Sequence, residues 1–148
     1  MPPGILADMA RPSTQKQRRR EVIDAALEAA AEHGLRNLSL TDVANQAGVT
    51  RGALLYYYED LEAILVEAHA AGMERVGGER VALVEQRNGA ADKLSTAIEA
   101  GLPSGPEDAL MRLLYEFDVL AGKSPLHDQL VQQLYGEQLA LYQRILEE

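Results

Sequence analysis

Residues 38–65 read LSLTDVANQAGVTRGALLYYYEDLEAIL, and Gly48 in the middle decides how this stretch can fold. Upstream of it, Leu40, Val43, Ala44 and Ala47 recur at helical spacing behind Ser39, a residue suited to capping a helix N-terminus. Downstream of Val49, Thr50 supplies a second cap for the short segment from Arg51 to Tyr57. Helices of about two turns do not persist alone in water. They must pack on each other and on a third helix, and Gly48 permits the tight turn that brings them together. Ala44 is small enough for a close crossing, and Val49 and Leu54 fill the space between. The pattern predicts a helix-turn-helix, whose second helix can lie in the major groove of DNA with its first residues at the base edges.

The third helix precedes the motif. Starting from a cap at Ser13 or Thr14, Val22, Ile23, Ala26, Leu27 and Ala30 share one face, and His33-Gly34 ends the run. Residues 1–14, with Pro2, Pro3, Gly4 and Pro12, are expected to be a flexible tail. Beyond the motif, Asp60 can cap a long helix carrying Leu61, Ile64, Leu65, Ala68 and Val76, extending to about Arg87 with a weak point at Gly77-Gly78. Further helices are expected over residues 90–100, from Pro106 in a first turn to residue 121, and from residues 124–125 to the end. No stretch shows sustained β-branched alternation. The expected fold is all-α, with a helix-turn-helix head over residues 15–60 joined by the long helix to a helical-bundle body over residues 61–148.

The charge is divided along the same line. The whole chain of 148 residues carries a formal charge of −9, which by itself disfavours a polyanionic partner. Through Tyr58, however, seven Lys and Arg stand against six Asp and Glu, and the rest holds seven against seventeen. A slightly basic head and a strongly acidic body suit a protein that touches DNA with one end only. Absence of cysteine excludes disulfides, thiolate metal sites and cysteine nucleophiles. No P-loop, dinucleotide fingerprint or nucleophile elbow occurs, and His33, His69 and His127 fall on three separate elements without metal spacing. No enzyme, cofactor or metal is expected. No apolar run is long enough for a membrane span, so the expected setting is the cytoplasm.

In the run AGVTRGALLYYYED, and in HGLRNLSL before it, the chain resembles the TetR (tetracycline-repressor-like) family of transcriptional regulators from about residue 20 to residue 65. The resemblance implies that Ser39 and Thr41 contact phosphates or an outer base. It implies that Arg51, Gly52 and Ala53, behind the Thr50 cap, read base edges, with Arg51 able to bind guanine in bidentate fashion. Tyr56 and Tyr57 fall where the family meets the DNA backbone, and Tyr58 at a core aromatic position. Leu55, Leu61 and Ala30 depart from the family's usual tyrosine, lysine and bulky aromatic, which weakens phosphate anchoring and shrinks the head core. Lys16, Arg18, Arg19 and Arg20 are expected to compensate as an arm along phosphates or in the minor groove, or else to form a solvated charged face.

For the body the resemblance implies a cavity for a small-molecule effector and a homodimer. His69, Met73, Met111, Tyr115, Phe117 and Tyr135 are large enough to line such a cavity, and each can equally be core. Glu99, Glu116 and Asp118 would favour a cationic ligand if they faced inward. Leu130, Leu134, Leu141 and Ile145 repeat at spacings of four, seven and four, a stripe suited to pairing with a second copy. The expected function is a DNA-binding repressor released from a palindromic operator by its effector. The alternative is a helical adaptor whose helix-turn-helix no longer binds DNA.

Overall fold

The computed structural model describes residues 12–120 and 125–148, and among them seven α-helices, one 3-10 turn and no strand. The helices are α1 (Pro12–His33), α2 (Leu40–Ala47), α3 (Arg51–Tyr57), α4 (Leu61–Glu85), α5 (Ala90–Glu99), α6 (Ala109–Leu120) and α7 (Pro125–Leu146), with the 3-10 turn Leu35–Asn37 between α1 and α2. The chain divides into two compact units, a head ending at Ala68 and a body beginning at His69. The division falls inside α4 and not ahead of it, because the first turns of that helix bury Ile64 and Ala68 and bond to head residues through Glu67.

In the head, α1 presents Val22, Ile23, Ala25, Ala26, Ala29 and Ala30 to the interior. This alanine-rich face lets α2 approach closely, and α2 inserts the buried Val43 and Ala44. Ala30, where a bulky aromatic is usual, is buried on this same face. Gly34 ends α1 with φ +76, and the 3-10 turn buries Leu35 before the equally buried Leu38. α1 begins at Pro12, earlier than the expected caps at Ser13 and Thr14, since proline's fixed φ suits a first helical turn. Residues 12–14 of the expected tail over residues 1–14 are therefore helical, and residues 1–11 lie outside the described residues.

The body contains the later turns of α4 with α5, α6 and α7. Val84, Ala97, Leu141 and Ile145 form its buried cluster, flanked by Val81, Ala90, Leu94 and Tyr142. Two expectations change here. Leu141 and Ile145 face this intramolecular core, so half of the stripe expected for a partner is used within the chain, while Leu130 and Leu134 are half-buried. Helix α6 starts at Ala109 and not at Pro106, because the Asp108 carboxylate accepts from Met111 N at 3.2 Å and from the Ser104 N and Oγ at 3.0 and 2.9 Å. Those bonds make Asp108 the cap and hold its carboxyl below the usual range, the Ser104 backbone bond contributing most. The expected end of this helix at residue 121 and the start of the last helix at residue 124 lie outside the described residues. α4 runs unbroken through Gly77-Gly78, where the sequence suggested a weak point.

Candidate functional site

The helix-turn-helix is built by three local devices. Ser39 and Asp42 form a capping box: Asp42 N donates to Ser39 Oγ at 3.1 Å, and Ser39 N donates back to Asp42 Oδ2 at 2.9 Å. The Ser39 hydroxyl also donates to Asp42 Oδ2 at 2.8 Å, and these bonds lower the Asp42 pKa, the side-chain bond most. Gly48 takes the left-handed conformation, φ 67 and ψ 31, and Val49 N donates to Ala44 O at 3.0 Å to close the turn. Thr50 Oγ1 then accepts from Ala53 N at 3.1 Å and starts α3. Leu54 is fully buried and pins α3 to the head core.

These devices leave one face of α3 open. Arg51 and Gly52 are exposed, Ala53 is half-buried, and Arg51 has no side-chain hydrogen bond or ion pair among the described residues. Thr50 is exposed, and its hydroxyl hydrogen remains available after Oγ1 has accepted the cap bond. Tyr56 is 66% exposed and meets the half-buried Tyr57 edge to face, centroids 5.2 Å apart. Thr41 is exposed at the start of α2, whereas the Ser39 hydroxyl, though on the surface, is engaged in both directions by Asp42. Leu55 is exposed and Leu61 half-buried, so neither replaces the polar groups usual at those positions.

The basic cluster is not an arm. Lys16, Arg18, Arg19 and Arg20 all lie within helix α1, which fixes their backbone. Arg19 turns inward: Nη1 donates to Tyr57 O at 3.2 Å, Nη2 bonds Glu67, and the guanidinium stands 4.5 Å from the centroid of the Tyr58 ring. Glu67 also accepts from the Tyr58 hydroxyl at 2.9 Å. Burial, and then Glu67, hold that phenol well above its usual pKa. Tyr58 is therefore core, as expected, and Arg19 locks the end of α3 to α1 and α4 where a phosphate contact was expected. Arg18 pairs with Glu21 at 3.0 Å on the surface, and Lys16 and Arg20 are exposed.

Residues 22–68 match the family described as bacterial regulatory proteins, tetR family. Over those residues the head is similar to the tetR family. Among curated proteins the chain is similar to the HTH-type transcriptional regulator BetI of Agrobacterium fabrum, 28% identical over 87 residues, 59% of this chain and 42% of that protein. It is 39% identical to BetI of Escherichia coli over 51 residues, 34% of this chain and 26% of that one. A solved Pseudomonas aeruginosa PAO1 protein, a candidate transcriptional regulator, superposes with TM-score 0.71 and 26% identity over 89% of this chain and 64% of its own. A TetR family transcription regulator from Marinobacter aquaeolei VT8 shares the fold, with TM-score 0.65 and 18% identity over 93% of this chain and 69% of that one. The matches thus cover less than half the length of the curated relatives. Residues 22–68, the stretch covered by the family match, contain the Gly48 turn and the open face of α3.

The body holds a cavity of about 760 Å³. Of the residues expected to line it, Met73, Met111, Tyr115 and Tyr135 do so. His69 and Phe117 do not: both are buried and stacked on each other, centroids 4.8 Å apart and planes 10° from parallel. Of the three acidic candidates Asp118 borders the cavity, while Glu99 and Glu116 face solvent. Sequence reasoning missed two features. His69 and His127, 58 residues apart, meet with Nδ1 and Nε2 at 2.9 Å. Arg80 is buried in the cavity wall. The second was legible, because the helical spacing that carries Met73, Val76 and Val84 inward carries Arg80 with them.

Among the described residues no group of three or more His, Cys, Asp and Glu could hold a metal. None of the described helices is long and apolar enough to cross a membrane.

Proposed function

We propose that this chain is a DNA-binding transcriptional regulator, a repressor that acts in the cytoplasm as a homodimer on a palindromic operator. One observation carries the proposal: the capped first turn of α3 offers Thr50, Arg51 and Gly52 outward, with Arg51 unpaired among the described side chains. An arginine there can reach the O6 and N7 acceptors of guanine, and on this reading Thr41, Tyr56 and Tyr57 would meet phosphates. The helical adaptor has no comparable feature in its favour.

The cavity bounded by α4, α6 and α7 is the site proposed for a small-molecule effector. Helix α4 contributes its first turns to the head and its later turns to the body, so a ligand that prefers one setting of α4 biases the head through a continuous element. A second copy would meet an exposed apolar strip on α7, Tyr135, Leu139 and Leu146, displaced around the helix from the expected one.

The test is to recover and sequence genomic DNA fragments retained by the purified chain across a salt series. A recurring inverted repeat, bound with a steep salt dependence, supports the proposal. Retention without sequence preference, or none at any salt, would sink it.

A further inference from the structure

Arg80 is 5% exposed and lies in the cavity wall. Its Nε donates to Ala97 O at 2.6 Å, near the C-terminus of α5, and its Nη2 donates to the Tyr142 hydroxyl. The guanidinium also faces the Tyr142 ring, 5.0 Å from its centroid. A guanidinium has five N–H donors, and these two bonds leave others unused. Both partners are neutral, so they hold the fork in place without cancelling its charge. The ion pairs found among the described residues do not include Arg80. Burying a cation without a counter-charge is costly, and the cost is recovered when an anion arrives.

The surroundings fix where that anion would sit. A Cβ on Gly101 would fall 3.2 Å from both Cζ and Nη2 of Arg80, so the guanidinium is packed closely on that side. The remaining space is the cavity, whose apolar lining includes Met73, Val81, Leu114, Leu134 and Leu141. The acidic residues bordering the cavity are Glu74, Asp118 and Glu137. Glu74 and Glu137 are exposed and screened by solvent, and Asp118 lies beside His69, its Oδ1 3.5 Å from Nε2.

We propose that the cavity takes an amphipathic anion, a carboxylate head on an apolar body, with the head on the free N–H groups of Arg80 and the body along Met73, Leu114 and Leu134. The proposal rests on the reading of this cavity as an effector site and narrows it to one chemical class. A charge-assisted, fork-shaped contact to a carboxylate is about twice as strong as a neutral one and discriminates against an alcohol of the same shape.

The experiment titrates the full chain calorimetrically with octanoate, octanol and octylammonium, which share a body and differ in head charge. Octanoate is expected to bind at least about tenfold more tightly than octanol, a difference of about 1.4 kcal/mol, and octylammonium more weakly than either. Arg80→Met should keep the octanol affinity and abolish the preference, and Arg80→Lys should retain part of it. Equal octanoate and octanol affinities on the unaltered chain, or no binding of either, overturn the proposal even if Arg80→Met does not fold. A folded Arg80→Met with the preference intact makes Arg80 only a cap for α5 and overturns it too. An octanoate preference with no effect on DNA affinity supports the anion site and removes the effector role.

Discussion

The guanidinium of Arg19 stands 4.5 Å from the ring centroid of Tyr58, with its Nη1 bonded to Tyr57 O and its Nη2 to Glu67. One side chain from α1 thus fixes the last residues of α3 and the first turns of α4. On the proposed function, its part is to hold α3 still and not to touch DNA.

Arg19→Met is therefore expected to lower the stability of the head while leaving the salt slope of DNA binding unchanged. Arg19 and Glu67 are each about two-fifths exposed, so a double-mutant cycle with Glu67→Gln should give a modest coupling, about 0.5–1 kcal/mol. Arg20→Ala, on the exposed side of α1, should leave stability intact and reduce the slope by about 0.9 if it meets one phosphate. Salt titrations beside urea melts separate the two residues, and a flattened slope for Arg19→Met would return it to the DNA surface.

Arg51 is the side chain expected to read sequence. Arg51→Ala should cost about 1–3 kcal/mol on the specific site and relax preference at one base position. Competition assays with single-base variants of the operator measure this directly. An equal loss on random duplex would reassign Arg51 to a phosphate.

His69 is wholly buried and Asp118 Oδ1 lies 3.5 Å from its Nε2, which makes no hydrogen bond among the described residues. Burial, reinforced by His127, pushes its pKa down to about 4, which outweighs the partly solvated carboxylate at that longer distance. The folded chain keeps His69 neutral while the unfolded chain takes up a proton near pH 6.5, so stability is full above pH 6.5 and is lost as pH falls toward 4. The loss is on the order of 2–3 kcal/mol. Asp118, raised by burial, works in the opposite sense, so the comparison with His69→Phe isolates the imidazole. Urea melts at pH 7, 5.5 and 4.5 should show a smaller drop for His69→Phe, and identical drops would falsify the assignment.

If α7 pairs with a second copy through Tyr135, Leu139 and Leu146, then Leu139→Glu, at a site 68% exposed, should leave the monomer's melting temperature almost unchanged and shift sedimentation toward monomer. Leu141→Glu should instead unfold the body, because Leu141 is buried in its core. A dimer that survives Leu139→Glu would place the interface elsewhere.

What the sequence determined by itself was local: the Ser39 and Thr50 caps, the left-handed turn at Gly48 and the buried Leu54 all follow from bonds and contacts within a few residues, and they specify the helix-turn-helix. Asp60 likewise caps α4, its Oδ1 accepting from Ala63 N at 2.9 Å. What only the tertiary structure decided depends on partners far along the chain. Arg19 reads as one more cation in a basic run until Glu67 and Tyr58 are brought beside it. Leu141 and Ile145 read as a free apolar stripe until Val84 and Ala97 cover them. His69 and His127, and Arg80 with Ala97 and Tyr142, meet across helices whose rotation is set by packing. Helical periodicity gives the face on which a side chain lies. Which neighbour that face meets, and whether a charge there finds a counter-charge, is fixed by contacts between segments that spacing along one helix does not encode.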